Sequence, residues 1–525
     1  MEVSHKCKCG KNKRCKPYTA HTGRILYFID DPTKYPFPGQ EDKFLKYYEE
    51  GALIVRDGKI VDVGEKKIIE CYDKLVKVID HGDNLIMPGF VDTHIHMPQT
   101  EMVGSYGVGL LEWLNKYTFP TEEKFSNKEY ADYIAKFFIE ELISNGTTTA
   151  LVFTTIFKDS VNAFFEAAEK RNVRMIAGKV GMDRGNVFLT GPPFTDYTVE
   201  FPITPTELRD TAQSFYDDSK ELIEKWHGKG RLLYAVTPRF APTSTEDQLS
   251  KAKQLLNEYP TVYMHTHLNE TKSEQYLMKD VYVVDEPLYD PPADPNADQR
   301  RQKNGITQNY LDYTDVYDKF GLLTDRSILA HSIFMNDLDW TRLHDHDCGV
   351  AYCPTSNLFL GSGVFKLDEA DKFKVKTGLG TDIGAGTSFS MLDTINEAYK
   401  VQQVRINDVE FMPPPNPVIR PEPQPPTPSQ IAPTSYKLLY LATLGGARVL
   451  NLEDKIGTFK AGNEADFVVI DQTVTSLQKL RDVSGGKTLM DSLFGTCILG
   501  NKLNIMKTYV YGKLEYDKRC KSDHI

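Results

Sequence analysis

Two histidines at the end of an apolar segment are the first candidates for chemistry in this sequence. His94 and His96 close the stretch Pro88–His96, which reads as a turn followed by a short strand. Side chains two residues apart point to the same face of a β-strand, so both imidazoles can reach one point. Two converging imidazoles suit a borderline metal such as zinc. A lone His-x-His pair is more often a surface or turn pair, so the other ligands decide.

Further polar side chains stand where other predicted strands end. His267, His331 and Asp382 each follow a short apolar segment. Three histidines and one carboxylate would hold one divalent ion and leave a position for water, so we predict a metal site here. Taken singly, each is an ordinary core or loop residue; their joint placement argues against that. His265 shares a strand face with His267, which is nearer the strand end; we place His265 in a lower layer.

The middle of the chain alternates predicted strands and helices. Ser126–Glu129 has the signature of a capping box, and a helical apolar pattern follows as far as Gly146. Eight buried-strand candidates end near His96, Thr154, Asp183, Arg239, His267, His331, Asn357 and Asp382. Eight alternating units predict an α/β fold, a (β/α)₈ barrel of the TIM type, in which catalytic groups lie at the carboxyl ends of the strands.

Both ends of the chain read instead as short β-strands. The candidates are residues 24–29, 51–55 and 59–64 at the start and 457–459, 465–470 and 508–513 at the end. Asp57-Gly58 is a hairpin signal between two of them. We therefore expect one small β-sandwich domain built from residues 17–87 and 455–518, with the catalytic barrel spanning 88–454.

Three segments fit neither domain. Residues 1–16 are basic and rich in cysteine and lysine; they lack an evident fourth ligand for a metal clip, so we expect a disordered tail. Residues 278–310 are polar and form an expected surface insertion. Residues 412–433 carry ten prolines, which favours an extended spacer over a docking site.

Composition narrows the class of protein. The 525 residues carry a net charge of -11, which argues against a general nucleic-acid binder, and 40% are hydrophobic, which supplies an ample core. The sequence has no apolar run long enough to span a membrane and begins without the hydrophobic region of a signal peptide. Three of its eight cysteines lie in the first 16 residues and the other five are scattered without a disulfide framework, which fits reduced thiols, so we expect a cytoplasmic protein without membrane partners.

Several motifs resemble the amidohydrolase superfamily and, within it, the guanine deaminases. Pro88–His96 matches the first-strand motif of the superfamily. The segments that resemble the guanine deaminases are 97–99, 111–114, 117–120, 237–240, 353–358, 380–382 and 442–447. The similarity runs from about residue 20 to about residue 515. It departs from the family at the tail, at both insertions and at His265; a fungal member would accommodate such insertions.

The resemblance implies zinc-dependent hydrolysis of guanine at C2, which gives xanthine and ammonia. It implies that four residues bind a single zinc ion that activates the attacking water: His94, His96, His267 and Asp382. Glu270 would shuttle protons to the ring nitrogen and the leaving ammonia. His331 would orient the water and stabilise developing charge. Asp382 would also take a proton from the water. Members of the family are usually homodimers.

Recognition of the purine would rest on three residues. Arg239 presents paired donors that match the O6 and N7 acceptors of guanine, whereas adenine presents a donor there and would leave Arg239 poorly paired. Phe240 would contact the ring face and lend a backbone amide, and Gln99 would bond the ring amide. Four of the residues already assigned would also touch the substrate: His96, His267, Glu270 and Asp382. Without the resemblance, a surface ion pair is an equal interpretation of Arg239.

Other functions remain open at this point. A different aminohydrolase of the same superfamily, acting on a modified purine, a pterin or an adenosine derivative, would share the metal site. A non-enzymatic barrel is a weaker alternative, because such proteins lose ligands and here Glu270 and all the predicted ligands are present. A cytidine-type zinc deaminase is set aside, since the sequence lacks His-x-Glu followed by Pro-Cys-x-x-Cys.

Overall fold

The computed structural model describes residues 17–37, 39–72, 76–107, 109–191, 194–282, 311–410, 433–484 and 487–520. The strands are β1 (Thr19–Phe28), β2 (Leu45–Arg56), β3 (Lys59–Glu65), β4 (Lys77–Pro88), β5 (Phe90–His96), β6 (Thr147–Phe153), β7 (Arg174–Gly178), β8 (Val180–Gly181), β9 (Asn186–Gly191), β10 (Phe194–Pro202), β11 (Leu232–Pro238), β12 (Tyr263–Leu268), β13 (Ser327–His331), β14 (Gly349–Tyr352), β15 (Lys376–Leu379), β16 (Phe467–Ile470), β17 (Ile505–Val510) and β18 (Lys513–Asp517).

The helices lie mostly between the strands of the middle region. They are α1 (Leu110–Trp113), α2 (Phe119–Glu123), α3 (Lys128–Ser144), α4 (Lys158–Arg171), α5 (Ala212–Trp226), α6 (Glu246–Glu258), α7 (Lys272–Val281), α8 (Tyr313–Lys319), α9 (Asp337–Asp345), α10 (Pro354–Phe359), α11 (Leu367–Lys372), α12 (Met391–Glu410), α13 (Ser435–Tyr440), α14 (Gly446–Val449), α15 (Ser476–Val483) and α16 (Leu489–Leu499).

Eight parallel strands form the predicted barrel. Their order is β5-β6-β7-β11-β12-β13-β14-β15, and the short β8 also pairs with β11. Every residue of β5 and of β6 is buried, as expected for parallel strands covered by helices on one side and by the barrel interior on the other. The (β/α)₈ fold predicted from the alternating pattern is therefore confirmed.

The barrel closes where the first strand meets the end of the last. The backbone N–H of Asp382 donates to the carbonyl of His94 at 2.9 Å, and that of His96 donates to the carbonyl of Ile383 at 3.1 Å. The buried carboxylate of Asp92 accepts from the backbone N–H of Thr381 at 3.1 Å. The residues that follow β15 are thereby fixed beside the histidines of β5.

Strands from both chain ends form a second sheet. Its order is β18-β17-β16-β4-β1-β2-β3, and β1 with β4 is its parallel pair. Its own hydrophobic core includes Ile25, Ile60, Phe467 and Tyr509, which come from both ends of the chain. The hairpin turn between β2 and β3 is at Asp57-Gly58, where both residues have positive φ. A composite β-domain is confirmed, while its exact boundaries stay a prediction.

Some local predictions were wrong. Residues 457–459 form no strand; they follow the turn at residues 453–455, and Gly457 has a φ of +80°. Helix α3 is capped by Asn127, whose side chain accepts the N–H of Tyr130, and not by Ser126. Asn357 lies within α10 and does not end a strand, because Pro354 starts that helix soon after β14.

Most of the three segments that fitted neither domain lies outside the described residues. This applies to residues 1–16, to 283–310 of the first insertion and to 412–432 of the second. The start of the first insertion is described: α7 continues to Val281. The predictions made for these segments therefore stay predictions.

A buried ion-pair network joins the barrel to the composite domain. Glu464 accepts from Arg174 Nε at 2.8 Å and from Arg231 Nε at 3.0 Å, and Arg231 also pairs with Asp466. All four side chains are at most 6% exposed. Burial by itself raises the pKa of Glu464, but the hydrogen bond from Arg174 and the charge of Arg231 lower it to about 2. Removal of the carboxylate would leave two buried guanidinium groups undercompensated.

The substitution Glu464→Gln should lower the free energy of unfolding by about 3–5 kcal/mol, the usual loss when one partner of a buried pair is removed. Urea unfolding measures this, with the exposed Glu453→Gln as control. Because the folded pKa is depressed, the difference from wild type should be full above about pH 4.5 and shrink as the pH falls toward 2. A variant as stable as wild type at neutral pH would contradict this role.

Candidate active site

Three histidines and an aspartate converge at the carboxyl ends of β5, β12 and β15. The Nε2 atoms of His94 and His96 are 3.1 Å apart, and those of His96 and His267 are 3.3 Å apart. Asp382 Oδ1 lies 3.2 Å from His94 Nε2 and 3.3 Å from His96 Nε2. Donors at about 2.0–2.1 Å from a tetrahedral cation are about 3.3 Å apart, so these residues fit one metal ion.

Neighbouring groups hold the ring nitrogens of this cluster in the orientation that a metal needs. His267 Nδ1 is 2.8 Å from the carbonyl oxygen of Arg239. A carbonyl only accepts, so Nδ1 carries the hydrogen and Nε2 offers its lone pair to the cluster. His94 Nδ1 is 2.8 Å from His265 Nε2, so His265 lies behind the cluster and contacts it through His94. This is the lower-layer position expected for His265.

The protonation states also suit metal binding. Burial lowers the pKa of His94, lowers that of His96 to about 3, and takes that of His267 well below its usual value. Burial alone would raise the pKa of Asp382, but its contacts with His94 and His96 hold it well below the usual range. Metal ligands must be neutral imidazoles and ionised carboxylates, and both conditions are met.

Glu270 and His331 lie next to this cluster. His331 Nε2 is 3.4 Å from Glu270 Oε2 and 3.8 Å from Asp382 Oδ2. His331 Nδ1 is 2.9 Å from Asn357 Oδ1, and Ser362 Oγ donates to Glu270 Oε1 at 2.9 Å. Burial raises the pKa of the Glu270 carboxyl, a shift in the direction that suits a general acid.

One pocket holds all the predicted site residues except His94, which lies fully buried beneath it. The predicted members of the lining are His96, Gln99, Arg239, Phe240, His267, Glu270, His331 and Asp382. Apolar side chains such as Trp113, Leu114 and Leu360 complete the wall. The pocket therefore combines a candidate metal-ligand cluster, a buried carboxyl and a guanidinium group with apolar side chains.

Comparison with known proteins agrees with this geometry. The amidohydrolase family model matches residues 85–514. The chain belongs to the amidohydrolase family. It is 44% identical to the guanine deaminase of Escherichia coli strain K12 over 94% of this chain and 97% of that protein.

Solved structures of amidohydrolases have a fold similar to that of this chain. The structure of E. coli guanine deaminase matches with a TM-score of 0.78 at 42% identity, covering 96% of this chain and all of that one. The guanine deaminase from C. acetobutylicum, solved with bound guanine in the active site, matches with a TM-score of 0.73 at 25% identity, covering 95% of this chain and all of that one.

A second wall of the amidohydrolase pocket contains the residues that are predicted to bind the purine. Arg239 follows β11 directly; the residue is 2% exposed, and its guanidinium group is ion-paired with Glu122. The side-chain carbonyl of Gln99 accepts from the backbone N–H of Gly384 at 3.2 Å. The ring of Phe240 packs edge-on to that of His267. A surface ion pair is thus the wrong interpretation of Arg239, because its partner is buried with it.

Sequence reasoning missed several residues that hold the predicted ones in place. Glu122 binds Arg239, Asn357 binds His331, and Ser362 binds Glu270. Glu274, one helical turn after Glu270, accepts from the backbone N–H of Glu270 at 3.2 Å. The available signal was position: Glu122 and Asn357 lie in or next to segments that resemble the guanine deaminases, but no spacing rule names their partners.

The thiol of Cys353 lies near the metal cluster but suits it poorly. It falls within reach of His94, His331 and Asp382. Burial raises the pKa of this thiol well above its usual value, and a thiol ligates metals as the thiolate. The imidazoles and the aspartate are therefore the better donor set of this amidohydrolase.

Proposed function

We propose that this amidohydrolase is a zinc-dependent guanine deaminase, which hydrolyses guanine at C2 to xanthine and ammonia. The observation that carries the proposal is the shared pocket, in which Arg239 lies beside the metal-ligand cluster and Glu270. The paired N–H donors of an arginine complement the O6 and N7 acceptors of guanine. The relatives named guanine deaminase support the same substrate, because their similarity extends over nearly the whole chain.

Zinc is the metal that the donor set favours. Three imidazoles and one carboxylate suit a borderline ion, and the 3.1–3.3 Å separations among the measured donors suit its short bonds. We assign the metal to His94, His96, His267 and Asp382. When bound, zinc supplies the chemistry of a Lewis acid, which lowers the pKa of water to about 7.

Glu270 is the residue that we assign to proton transfer. Its carboxyl is buried, it accepts a hydrogen bond from Ser362, and burial raises its pKa, which favours the protonated form. It would donate a proton to the ring nitrogen next to C2, regain one that derives from the attacking water, and donate that proton to the departing amino group. His331 lies between Glu270 and Asp382, a position from which it would orient the attacking water. Asp382 would accept a proton from the same water.

We assign purine recognition to the wall of the pocket that carries Arg239, Gln99 and Phe240. Arg239 would donate to O6 and N7, and Gln99 would bond the ring amide. Phe240 would contact the ring. A substrate without acceptors at this edge would leave the buried guanidinium group with unmade hydrogen bonds, which disfavours adenine.

The assembly and location of the enzyme are also proposals. We propose a homodimer, as the family resemblance implies, and a cytoplasmic enzyme that needs no membrane or nucleic-acid partner. In the described part of the chain, no helix is long and apolar enough to cross a membrane. The five cysteines there are unpaired, as expected for reduced thiols.

Purified protein should release ammonia and xanthine from guanine, because the pocket presents matched donors to its O6 and N7 edge. The assay is a panel of guanine, adenine, adenosine, a pterin and methylated guanines, with ammonia and product quantified for each. We expect guanine to have the highest kcat/KM. Turnover of another member without turnover of guanine would favour the alternative aminohydrolase and sink the assignment. Full inactivity on all of them, with no bound metal, would favour the non-enzymatic barrel.

The variant Glu270→Gln should keep the bound metal and lose guanine turnover by about 10²–10⁴-fold, the usual contribution of a general acid–base group. Gln has nearly the same shape but no exchangeable carboxyl proton. The measurement combines metal content with steady-state kinetics. Glu129→Gln, at an exposed site, is the control. Near-normal turnover in the Glu270 variant would show that another group moves the proton.

A further inference from the structure

Glu122 is a buried carboxylate that the proposed mechanism does not use. It is 1% exposed and lies near the end of the helical segment Leu110–Glu123, whose residues Leu110, Trp113 and Leu114 line the pocket. Both of its oxygens contact Arg239 Nη1, at 2.7 Å and 3.0 Å. A charge-assisted pair of this kind, buried on both sides, fixes the arginine side chain more firmly than an exposed pair would.

Phe119, the first residue of the same helix α2, packs its ring against the flat face of the Arg239 guanidinium group. Arg239 Cζ lies 5.4 Å from the centre of the Phe119 ring. Among the described residues, Glu122 supplies the side-chain hydrogen bonds of Arg239, and all of them use Nη1. The N–H groups on Nε and Nη2 therefore stay free for a ligand in the pocket that Arg239 lines.

Glu122 also reaches the second predicted purine-binding residue. Gln99 Nε2 donates to Glu122 Oε1 at 3.5 Å, while Gln99 Oε1 accepts from the backbone N–H of Gly384 at 3.2 Å. A carboxylate accepts and never donates, so it holds the amino end of the Gln99 amide toward itself. One buried carboxylate thus orients both the guanidinium fork and the amide.

We propose that Glu122 is a positioning residue that sets the purine specificity of the pocket. It holds Arg239 by Nη1, so that the remaining donors read the O6 and N7 edge of the substrate, and it fixes which end of the Gln99 amide faces the ring. This inference rests on the proposed guanine deaminase function. Loss of the carboxylate should weaken binding of substrates that carry O6 much more than binding of purines that lack it.

The test compares guanine with 2-aminopurine, which keeps the ring and the amino group at C2 but has no oxygen at C6. Glu122→Gln preserves the side-chain volume and removes the negative charge. The KM for guanine should rise about tenfold while kcat changes by less than about threefold, because the metal and Glu270 are untouched. The inhibition constant of 2-aminopurine, measured as a competitive inhibitor of guanine turnover, should change by less than about twofold.

Controls separate positioning from general damage. Glu123→Gln makes the same charge change on the neighbouring, more exposed residue and should leave both constants unchanged. Glu122→Asp keeps the charge but withdraws it by one methylene, so it should recover part of the affinity for guanine; it also serves if the Gln variant fails to fold. Metal content and thermal midpoint are measured for every variant.

Four results would overturn the inference. An equal rise in the KM for guanine and in the inhibition constant of 2-aminopurine would show a purely structural role. If neither constant changes in Glu122→Gln, the residue has no role in purine binding. A fall in kcat with constant KM would place Glu122 in the chemistry. A wild-type protein that does not deaminate guanine would overturn the proposed function itself, and the inference with it, whereas the other results leave that function standing.

Discussion

The backbone hydrogen bonds that close the barrel are the interaction on which the active site depends. Asp382 donates to the carbonyl of His94, and His96 donates to that of Ile383. These two bonds join the first strand to the segment after the last, and the Asp92–Thr381 contact reinforces them. Without them the carboxylate of Asp382 would have no fixed place near the histidine rings. The hydrogen bonds that close the barrel therefore also bring the metal-ligand cluster together.

The closed barrel concentrates polar groups that are unfavourable to bury without a cation. Unprotonated ring nitrogens meet one another and a carboxylate at separations of 3.1–3.3 Å in a site shielded from water. Burial of such groups is expensive unless a charge compensates them. A bound metal supplies that compensation, so stability and chemistry favour the same occupant. The charge of Arg239, on another wall of the pocket, is compensated separately by its buried ion pair with Glu122.

The sequence predicted the parts of this site that follow from local periodicity and missed those that follow from packing. His94 and His96 share a strand face by the two-residue period, and the strand ends placed His267, His331 and Asp382 at one rim. The contact between Glu122 and Arg239 joins residues 117 apart, and it depends on how the helical segment Leu110–Glu123 packs against the barrel. Asn357 was misplaced on a strand because a short apolar run before Pro354 resembles a longer strand. No periodic pattern encodes either feature.

Titration of the metal-free protein with zinc measures whether the activity depends on one metal ion. Protein stripped by a chelator should have no guanine deaminase activity. Each addition of zinc should then restore xanthine formation in proportion to the metal bound, with a plateau at about one ion per chain, because one set of donors holds one ion. Guanine turnover by the metal-free protein, or a plateau at two ions per chain, would contradict this dependence.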